Sequence, residues 1–281
     1  MNIGVGLPNT IAGLDGATML QWITHADKGP FSTAAVLDRV LYDSFDPLAT
    51  LAAAAAVTER IHLATMIVIA PLRNTAILGK TAATIDSISG GRFTLGVAVG
   101  ARKDDYDITQ SDYHIRGKRL TQQLADLRDH WESAHLGPVT PRTQGPQLLI
   151  GGLSTVSFAR VARFGDGYMH NGGPPRIFER MADQARSAWR DAGRPGEPQL
   201  WGMGYFALGD QAVQDAGTQY LLDYYDFTGP FAERIAAGLL TTPQAITQFI
   251  RGYRDAGCDQ LILFPTSSDI TQLERLADVL G

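Results

Sequence analysis

The chain has 281 residues and a formal net charge of -5, and its residues form no basic block that could neutralise nucleic-acid phosphates. Cys258 is the only cysteine, which excludes an internal disulfide framework and a cysteine-rich metal site. The first residues lack the features of a signal peptide and no apolar run approaches the roughly 20 residues of a membrane span, so we expect a cytoplasmic protein that binds neither nucleic acid nor membranes.

Short apolar segments alternate with longer amphipathic segments along the whole chain. The short segments predict eight β-strands, at residues 2–7, 33–37, 61–69, 93–99, 147–152, 166–170, 199–208 and 260–264. The longer segments predict nine helices, at residues 17–28, 46–58, 74–88, 116–134, 154–164, 175–192, 210–224, 242–256 and 269–280. Strict alternation requires parallel strands with right-handed crossovers, because a tight turn cannot reach a parallel neighbour. The pattern therefore predicts an α/β fold and, with eight units, a closed (β/α)8 TIM barrel.

The domain organisation follows from what the chain lacks. No composition shift or long linker divides it, so residues 1–281 are expected to form a single domain and not the two halves of an open doubly wound sheet. Residues 228–240 lie between the seventh and eighth strands and predict a helical insertion over one end of the barrel.

The stretch SGGRFTLGVAVGARKDDY, residues 89–106, holds four glycines around a predicted strand. They do not form a dinucleotide-binding fingerprint, because they follow the strand and do not turn from a strand into a helix. Gly90 and Gly91 are expected to end the preceding helix. Gly96 either leaves room for a flat ligand or fits the tight interior of a barrel. Gly100 ends the strand at the barrel mouth, and Lys103–Tyr106 are expected in the loop beyond it.

A second glycine-rich stretch follows the fifth predicted strand. That strand ends in Gly151 and Gly152, and a helix begins near Ser154. The free N–H groups at a helix N-terminus beside two glycines suit a phosphate. A simple turn with a capping serine explains the same residues.

Polar pairs close two of the predicted strands. Asp38 and Arg39 end the second strand, and His170 and Asn171 end the sixth. Side chains at these strand ends point into the mouth of a barrel, where they do chemistry or position substrate. A rim salt bridge and a hydrogen-bonded loop are the alternatives. The six histidines form no metal-binding spacing, so no metal site is predicted.

Three segments carry a family resemblance. The segment TERIHLATMIVIAPLRNTAILGKTAATIDSISGGRFTLGVAVGARKDDY (58–106) resembles the central signature of the bacterial luciferase-like monooxygenases. LLIGGLSTVSFARVARFGDGYM (148–169) and TTPQAITQFIRGYRDAGCDQLILFP (241–265) resemble later segments of that family in matching order. The resemblance implies a TIM barrel, often dimeric, that binds a flavin such as FMN, or the deazaflavin coenzyme F420, at its C-terminal mouth.

The resemblance also implies roles for particular residues. Residues 64–67, with Thr65, Met66 and Ile67, resemble a bulged third-strand segment behind the flavin ring, often with a non-prolyl cis peptide. Met66 and Ile67 are therefore the candidate backing of the ring, and Gly100 is expected beside it. The segment that receives the cofactor phosphate is matched by Gly151, Gly152 and Ser154.

One position departs from the family pattern. The deazaflavin-dependent dehydrogenases of the family commonly have Asp-His at the end of the second strand, where this chain has Asp38 and Arg39. Arginine stays protonated and is a poor general base. Arg39 suits an anionic substrate or a flavin peroxide anion better than it suits alcohol oxidation.

The sequence thus predicts a flavin-dependent oxidoreductase, a monooxygenase that uses reduced FMN and oxygen on a small organic substrate. Arg39 and His170 are the predicted catalytic residues, a separate flavin reductase is the expected partner, and a homodimer is the expected assembly. A coenzyme F420-dependent reductase or dehydrogenase that transfers hydride is one alternative. A non-catalytic flavin-binding barrel is another.

Overall fold

The structure is a computed structural model and describes residues 1–142 and 144–281. Parallel strands pair side by side in a closed ring. The strands are β1 (Asn2–Gly6), β2 (Thr33–Val36), β3 (His62–Thr65), β4 (Val68–Ile69), β5 (Phe93–Ala98), β6 (Gln147–Gly151), β7 (Gly167–Met169), β8 (Gln199–Phe206) and β9 (Gln260–Pro265). They pair in the order β3-β2-β1-β9-β8-β7-β6-β5-β4, and β3 also pairs with β5, which closes the ring.

The third barrel strand is interrupted. β3 and β4 are its two halves, and both pair with β5 on either side of Met66 and Ile67. The peptide bond between these two residues is cis. The ring therefore has eight strands, each predicted from the sequence, and the predicted (β/α)8 TIM barrel is confirmed.

Helices surround the barrel. They are α1 (Gly16–Lys28), α2 (Pro47–Val57), α3 (Thr75–Ile88), α4 (Lys103–Ile108), α5 (Arg116–Glu132), α6 (Thr155–Phe164), α7 (Pro175–Asp191), α8 (Gln211–Tyr224), α9 (Phe231–Ala236), α10 (Pro243–Asp255) and α11 (Thr271–Leu280). All nine predicted helices are present. The loop predicted at Lys103–Tyr106 is wrong, because α4 begins there; its six residues are too few to show a helical period in the sequence.

Local signals fix several helix ends. Asp46 caps α2 through hydrogen bonds from Leu48 N and Ala49 N, and Pro47 occupies the first helical position. Thr242 and Pro243 begin α10 in the same way. The predicted insertion is α9, which lies with a 3-10 turn at Asp226–Thr228 between the seventh and eighth barrel strands.

Two apolar layers form the core. The outer layer packs alternate strand residues such as Leu63, Val97 and Ile150 against the helices. The inner layer fills the barrel and includes Trp201 and Tyr205. Their spacing of four residues puts both side chains on one face of the strand and predicts that this face packs against the helices, which is wrong. Both faces of a barrel strand are apolar, so hydropathy does not tell which face points inward.

Small residues let large side chains fill the barrel. A Cβ atom on Gly96 would meet the sulfur of Met169 and the carbonyl oxygen of Thr65. Gly96 therefore fits the tight interior and leaves no free space for a ligand, whereas Ala98, two residues along β5, lines the cavity described below. Within the part of the chain that the structure describes, none of the helices has both the length and the hydropathy that a membrane span requires.

Candidate cofactor and substrate site

A cavity of about 290 Å³ opens at the C-terminal ends of the strands. This is the face on which TIM barrels bind their ligands. Its volume is near the lower end of small-molecule sites, roughly 300 Å³. Its lining is mostly apolar and comprises Leu37, Asp38, Met66, Ile67, Ile69, Ala98, Val99, Gly100, Ala101, Arg102, Gly151, Gly152, Met169, His170, Asn171, Met203, Tyr224, Tyr225 and Phe227.

The interrupted third strand forms one wall. Met66 and Ile67 line the cavity, as the resemblance implied for the residues behind a flavin ring. Thr65 is fully buried beside them. Its hydroxyl donates to the carbonyl oxygen of Gly96 at 2.8 Å and accepts from Gly96 N at 2.9 Å. Thr65 therefore joins β3 to β5 at the interruption, and its predicted contact with a cofactor stays a prediction.

The adjoining wall carries almost no side-chain bulk. Gly100 has a φ of +66°, and a Cβ atom there would lie 2.7 Å from Cγ2 of Ile69. Only glycine fits this position without displacing Ile69. A Cβ atom on Gly151 would make ordinary contact, at 3.4 Å from Cβ of Ala98, and a longer side chain would occupy the cavity. The flat wall at Ala98 and Gly100 fits a planar ring.

The N-terminus of α6 adjoins this wall. Ser154 caps the helix and accepts a hydrogen bond from Ser157 N at 3.2 Å. Gly151 and Gly152 line the cavity just before the cap, and Gly152 has a φ of +137°. The capped turn is therefore confirmed. Ser157 N is also bonded to the carbonyl oxygen of Ser154 at 2.9 Å, so the N–H groups of Thr155 and Val156 are the ones left to bind an anion.

Asp38 lines the cavity but is held in an ion pair. Its carboxylate accepts from Nη1 and Nη2 of Arg73 at 2.6 and 3.0 Å and from Ile69 N at 2.8 Å. Burial raises the pKa of Asp38, while the Arg73 guanidinium favours the charged form. Asp38 therefore fixes the end of β2 against β4 and is not a free catalytic base.

Arg39 lies beside the cavity and outside its lining. Its guanidinium is 3.1 Å from a carboxylate oxygen of Asp104 and 3.2 Å from one of Asp105, and it lies 4.8 Å from the ring centre of Tyr42. The other oxygen of Asp105 accepts from the backbone N–H groups of residues 40 and 41. Arg39 thus holds the loop after β2 against α4, and its catalytic role stays a prediction.

His170 lines the cavity at the end of β7, and its ring packs against Tyr168 and Phe178. Its Nδ1 is 3.0 Å from the hydroxyl of Tyr168, and its Nε2 has no hydrogen-bond partner among the described residues. The residue is 1% exposed, and burial lowers its pKa to about 4. The imidazole is therefore neutral near pH 7.

The buried neutral histidine predicts acid sensitivity. Its pKa in the folded protein is lower than in the unfolded chain, so unfolding takes up a proton below about pH 6.5. In the wild type, this proton uptake lowers the free energy of unfolding as the pH falls from about 6.5 to 4. Replacing His170 by glutamine should make that decrease smaller by on the order of 3 kcal/mol. Urea denaturation at a series of pH values measures this. An unchanged pH dependence in the variant would contradict a buried, neutral His170.

Arg102 and three aromatic residues complete the mouth. The segment at 224–238 is expected from its sequence to shape the substrate pocket, and its residues Tyr224, Tyr225 and Phe227 do line the cavity, whereas Arg102 was not predicted. Arg102 follows β5 and donates to the carbonyl oxygen of Tyr224. Its guanidinium lies 4.4 Å from the ring centre of Tyr224 and 4.1 Å from that of Phe227. The hydroxyl groups of Tyr205 and Tyr225 are 2.7 Å apart. We call Tyr224, Tyr225 and Phe227 the aromatic cap.

Comparison with known proteins agrees with the fold and with the family resemblance. A family model described as luciferase-like monooxygenase matches residues 1–260. An uncharacterised protein of Mycobacterium tuberculosis is 29% identical over 155 residues, which are 51% of this chain and 54% of that protein. The pyrimidine monooxygenase RutA of Methylobacterium radiotolerans is 35% identical over 136 residues, 41% of this chain and 35% of RutA. The chain thus spans about half the length, or less, of these curated relatives.

Two solved structures share the whole fold. An F420-dependent secondary alcohol dehydrogenase, in complex with an F420-acetone adduct, superposes with a TM-score of 0.81 at 16% identity and covers 99% of this chain and 97% of that chain. The oxygenating constituent of 3,6-diketocamphane monooxygenase from Pseudomonas putida, in complex with FMN, superposes with a TM-score of 0.74 at 14% identity. The superposition covers 100% of this chain and 96% of that chain. At these identities the likeness concerns the fold alone.

Proposed function

The chain belongs to the luciferase-like monooxygenase family, and from that premise we propose that it is a monooxygenase that uses reduced FMN and oxygen on a small organic substrate. A separate flavin reductase as the source of reduced FMN and a homodimeric assembly belong to the same proposal. The family membership supports oxidoreductase chemistry. The choice of FMN and of oxygen transfer rests on the residues of the mouth.

The cavity fits a flavin in two respects. Its flat wall, formed by Ala98 and Gly100, would take the ring, with Met66 and Ile67 behind it. The N-terminus of α6 would take the phosphate. When bound, reduced flavin supplies the electrons that activate oxygen, so the protein itself needs no elaborate acid–base machinery.

The chain's own residues would then protect and orient the reactants. The aromatic cap lines the mouth, and burial raises the pKa of Tyr224 and of Tyr225. Neutral phenols and apolar side chains exclude water from the cavity, which limits competing reactions with solvent. His170 stays the predicted residue that would polarise a substrate or an oxygen atom at the mouth.

The observation that favours oxygen transfer over hydride transfer is the end of β2. Oxidation of an alcohol needs a base for the hydroxyl proton. Asp38 forms an ion pair with Arg73, and Arg39 forms ion pairs with Asp104 and Asp105. Neither Asp38 nor Arg39 is therefore free to take the hydroxyl proton. His170, with a pKa lowered to about 4, is a weak base at pH 7.

Cofactor titration tests the proposal. We expect FMN to bind with a shifted absorbance spectrum and coenzyme F420 to bind more weakly. We also expect oxygen uptake with reduced FMN to rise when a substrate panel is added. Tight binding of F420 alone would replace the proposal with hydride transfer. FMN binding with oxygen uptake no faster than that of free reduced flavin would favour a non-catalytic flavin-binding barrel.

A further inference from the structure

Arg102 is a buried cation in the wall of the mouth cavity. The residue is 6% exposed and lines the cavity together with the aromatic cap. An arginine side chain stays protonated in proteins. Its hydrogen bond to the carbonyl oxygen of Tyr224 and its contacts with the rings of Tyr224 and Phe227 involve neutral groups. Among the described residues, no carboxylate forms a salt bridge with it.

The surrounding charges do not compensate for this cation. Three guanidinium groups lie at or beside the mouth, those of Arg39, Arg73 and Arg102. Among the residues that the structure describes, two carboxylates in the ion pairs there are fully buried, Asp38 and Asp105. Asp105 is paired with Arg39, and Asp38 is paired with Arg73. The other two carboxylates in the same ion pairs are 45% and 53% exposed and are screened by water. One positive charge therefore remains without a buried counter-charge.

The cap contributes no counter-charge either. Its segment carries Asp223 and Asp226, which are both exposed. A buried charge without a partner costs free energy, and an anionic ligand recovers that cost by forming charge-assisted hydrogen bonds. The uncompensated charge lies beside a cavity, so an anionic group on a ligand in that cavity would supply the missing counter-charge.

We propose that Arg102 binds an anionic group of the organic substrate, a carboxylate in the simplest case, and so restricts the enzyme to anionic substrates. The inference rests on the proposed function, because it assumes that the cavity holds both cofactor and substrate. It moves the anion-binding role that the sequence suggested for Arg39 to Arg102. Arg39 is already bound by Asp104 and Asp105.

The cofactor phosphate is the other anion that Arg102 could bind. We assign Arg102 to the substrate because the phosphate has a separate candidate site at Gly151, Gly152 and the N-terminus of α6. Arg102 instead contacts the aromatic cap, with Tyr224 and Phe227 against its guanidinium.

Calorimetric titration of the cofactor-free protein tests the charge preference. The probes are acetate, benzoate and phenylacetate, each compared with its neutral amide. We expect at least one acid to bind about 10- to 100-fold more tightly than its amide, the range of charge-assisted hydrogen bonds. Arg102→Met should abolish this preference and Arg102→Lys should keep part of it. The absence of any acid preference in the wild-type protein would overturn the proposal, even if the variants fail to fold.

Arg194→Met is the matched control. Arg194 lies 4.0 Å from the ring centre of Trp189 and donates to the carbonyl oxygen of Ala162 at 2.9 Å, so it also stacks on an aromatic ring and bonds the backbone, but away from the cavity. The Arg194→Met variant should keep the preference for acids over amides. A preference that survives Arg102→Met, or that is lost equally in Arg194→Met, would overturn the proposal.

A second titration separates substrate from cofactor. FMN and riboflavin differ by the phosphate, so Arg102→Met should leave the ratio of their affinities within about threefold of the wild-type ratio. Loss of FMN binding with riboflavin binding unchanged would assign Arg102 to the cofactor phosphate and overturn the proposal. A wild-type protein that binds neither FMN nor F420 would instead refute the proposed function.

Discussion

Replacing Arg73 by methionine is expected to lower the free energy of unfolding by about 3 to 5 kcal/mol at pH 7, because it breaks a buried ion pair from one side. The variant leaves the Asp38 carboxylate, whose side chain is 0% exposed, with the N–H of Ile69 as its remaining hydrogen bond. Methionine retains most of the apolar stem of arginine. Equilibrium denaturation in urea measures the change.

The loss should depend on pH in a defined direction. Burial raises the pKa of Asp38, and removing the guanidinium removes the charge that opposes this shift. A carboxyl group whose pKa is raised in the folded state lowers the free energy of unfolding at pH values above that pKa. This destabilisation becomes smaller as the pH falls. The Arg73→Met variant should therefore recover stability relative to the wild type as Asp38 becomes protonated.

An exposed pair in the same chain supplies the control. Arg186 and Asp183 are 3.2 Å apart, with side chains 27% and 66% exposed. Arg186→Met should cost less than about 1 kcal/mol, as exposed ion pairs do. A cost for Arg73→Met as small as this, or one that does not change with pH, would show that the Asp38–Arg73 pair does not hold the cavity wall.

The importance of this ion pair was not evident in the sequence. Asp38 and Arg73 are 35 residues apart, and Arg39 and Asp105 are 66 apart in number but adjacent in space. The strand-end rule placed Asp38 and His170 at the mouth correctly. It did not say which charges would be neutralised by neighbours, because those neighbours come from α4 and from the segment after β4. Arg102 obeys the same rule and was overlooked as part of a loop.

The fold was easier to predict than the site for a physical reason. Strands and helices are local, and their periods and caps are visible at positions such as Asp46 and Thr242. The direction in which a strand side chain points requires knowledge of both barrel faces, and Trp201 shows that hydropathy does not provide it. The interruption at Met66 and Ile67 was located only through the family resemblance, since its residues are ordinary strand formers.

Replacing Gly151 by valine is expected to raise the dissociation constant of FMN at least about 100-fold, which corresponds to losing roughly two charge-assisted hydrogen bonds to the phosphate. The backbone tolerates the change, because a Cβ atom would stand 3.4 Å from Ala98 Cβ and 3.6 Å from Ile67 Cγ2. The added methyl groups would then occupy the cavity in front of the α6 N-terminus. Quenching of flavin fluorescence measures the affinity, and thermal denaturation verifies the fold.

Riboflavin shows which part of the cofactor Gly151 contacts. It lacks the phosphate, so Gly151→Val should weaken its binding less than that of FMN, and the two affinities should converge. Gly16→Val is the control, because Gly16 begins α1 with no atom within 4 Å of its added Cβ, and it should bind FMN like the wild type. Equal losses for FMN and riboflavin would place the ring, and not the phosphate, at Gly151. FMN binding within about threefold of the wild type would instead remove this turn from the cofactor site.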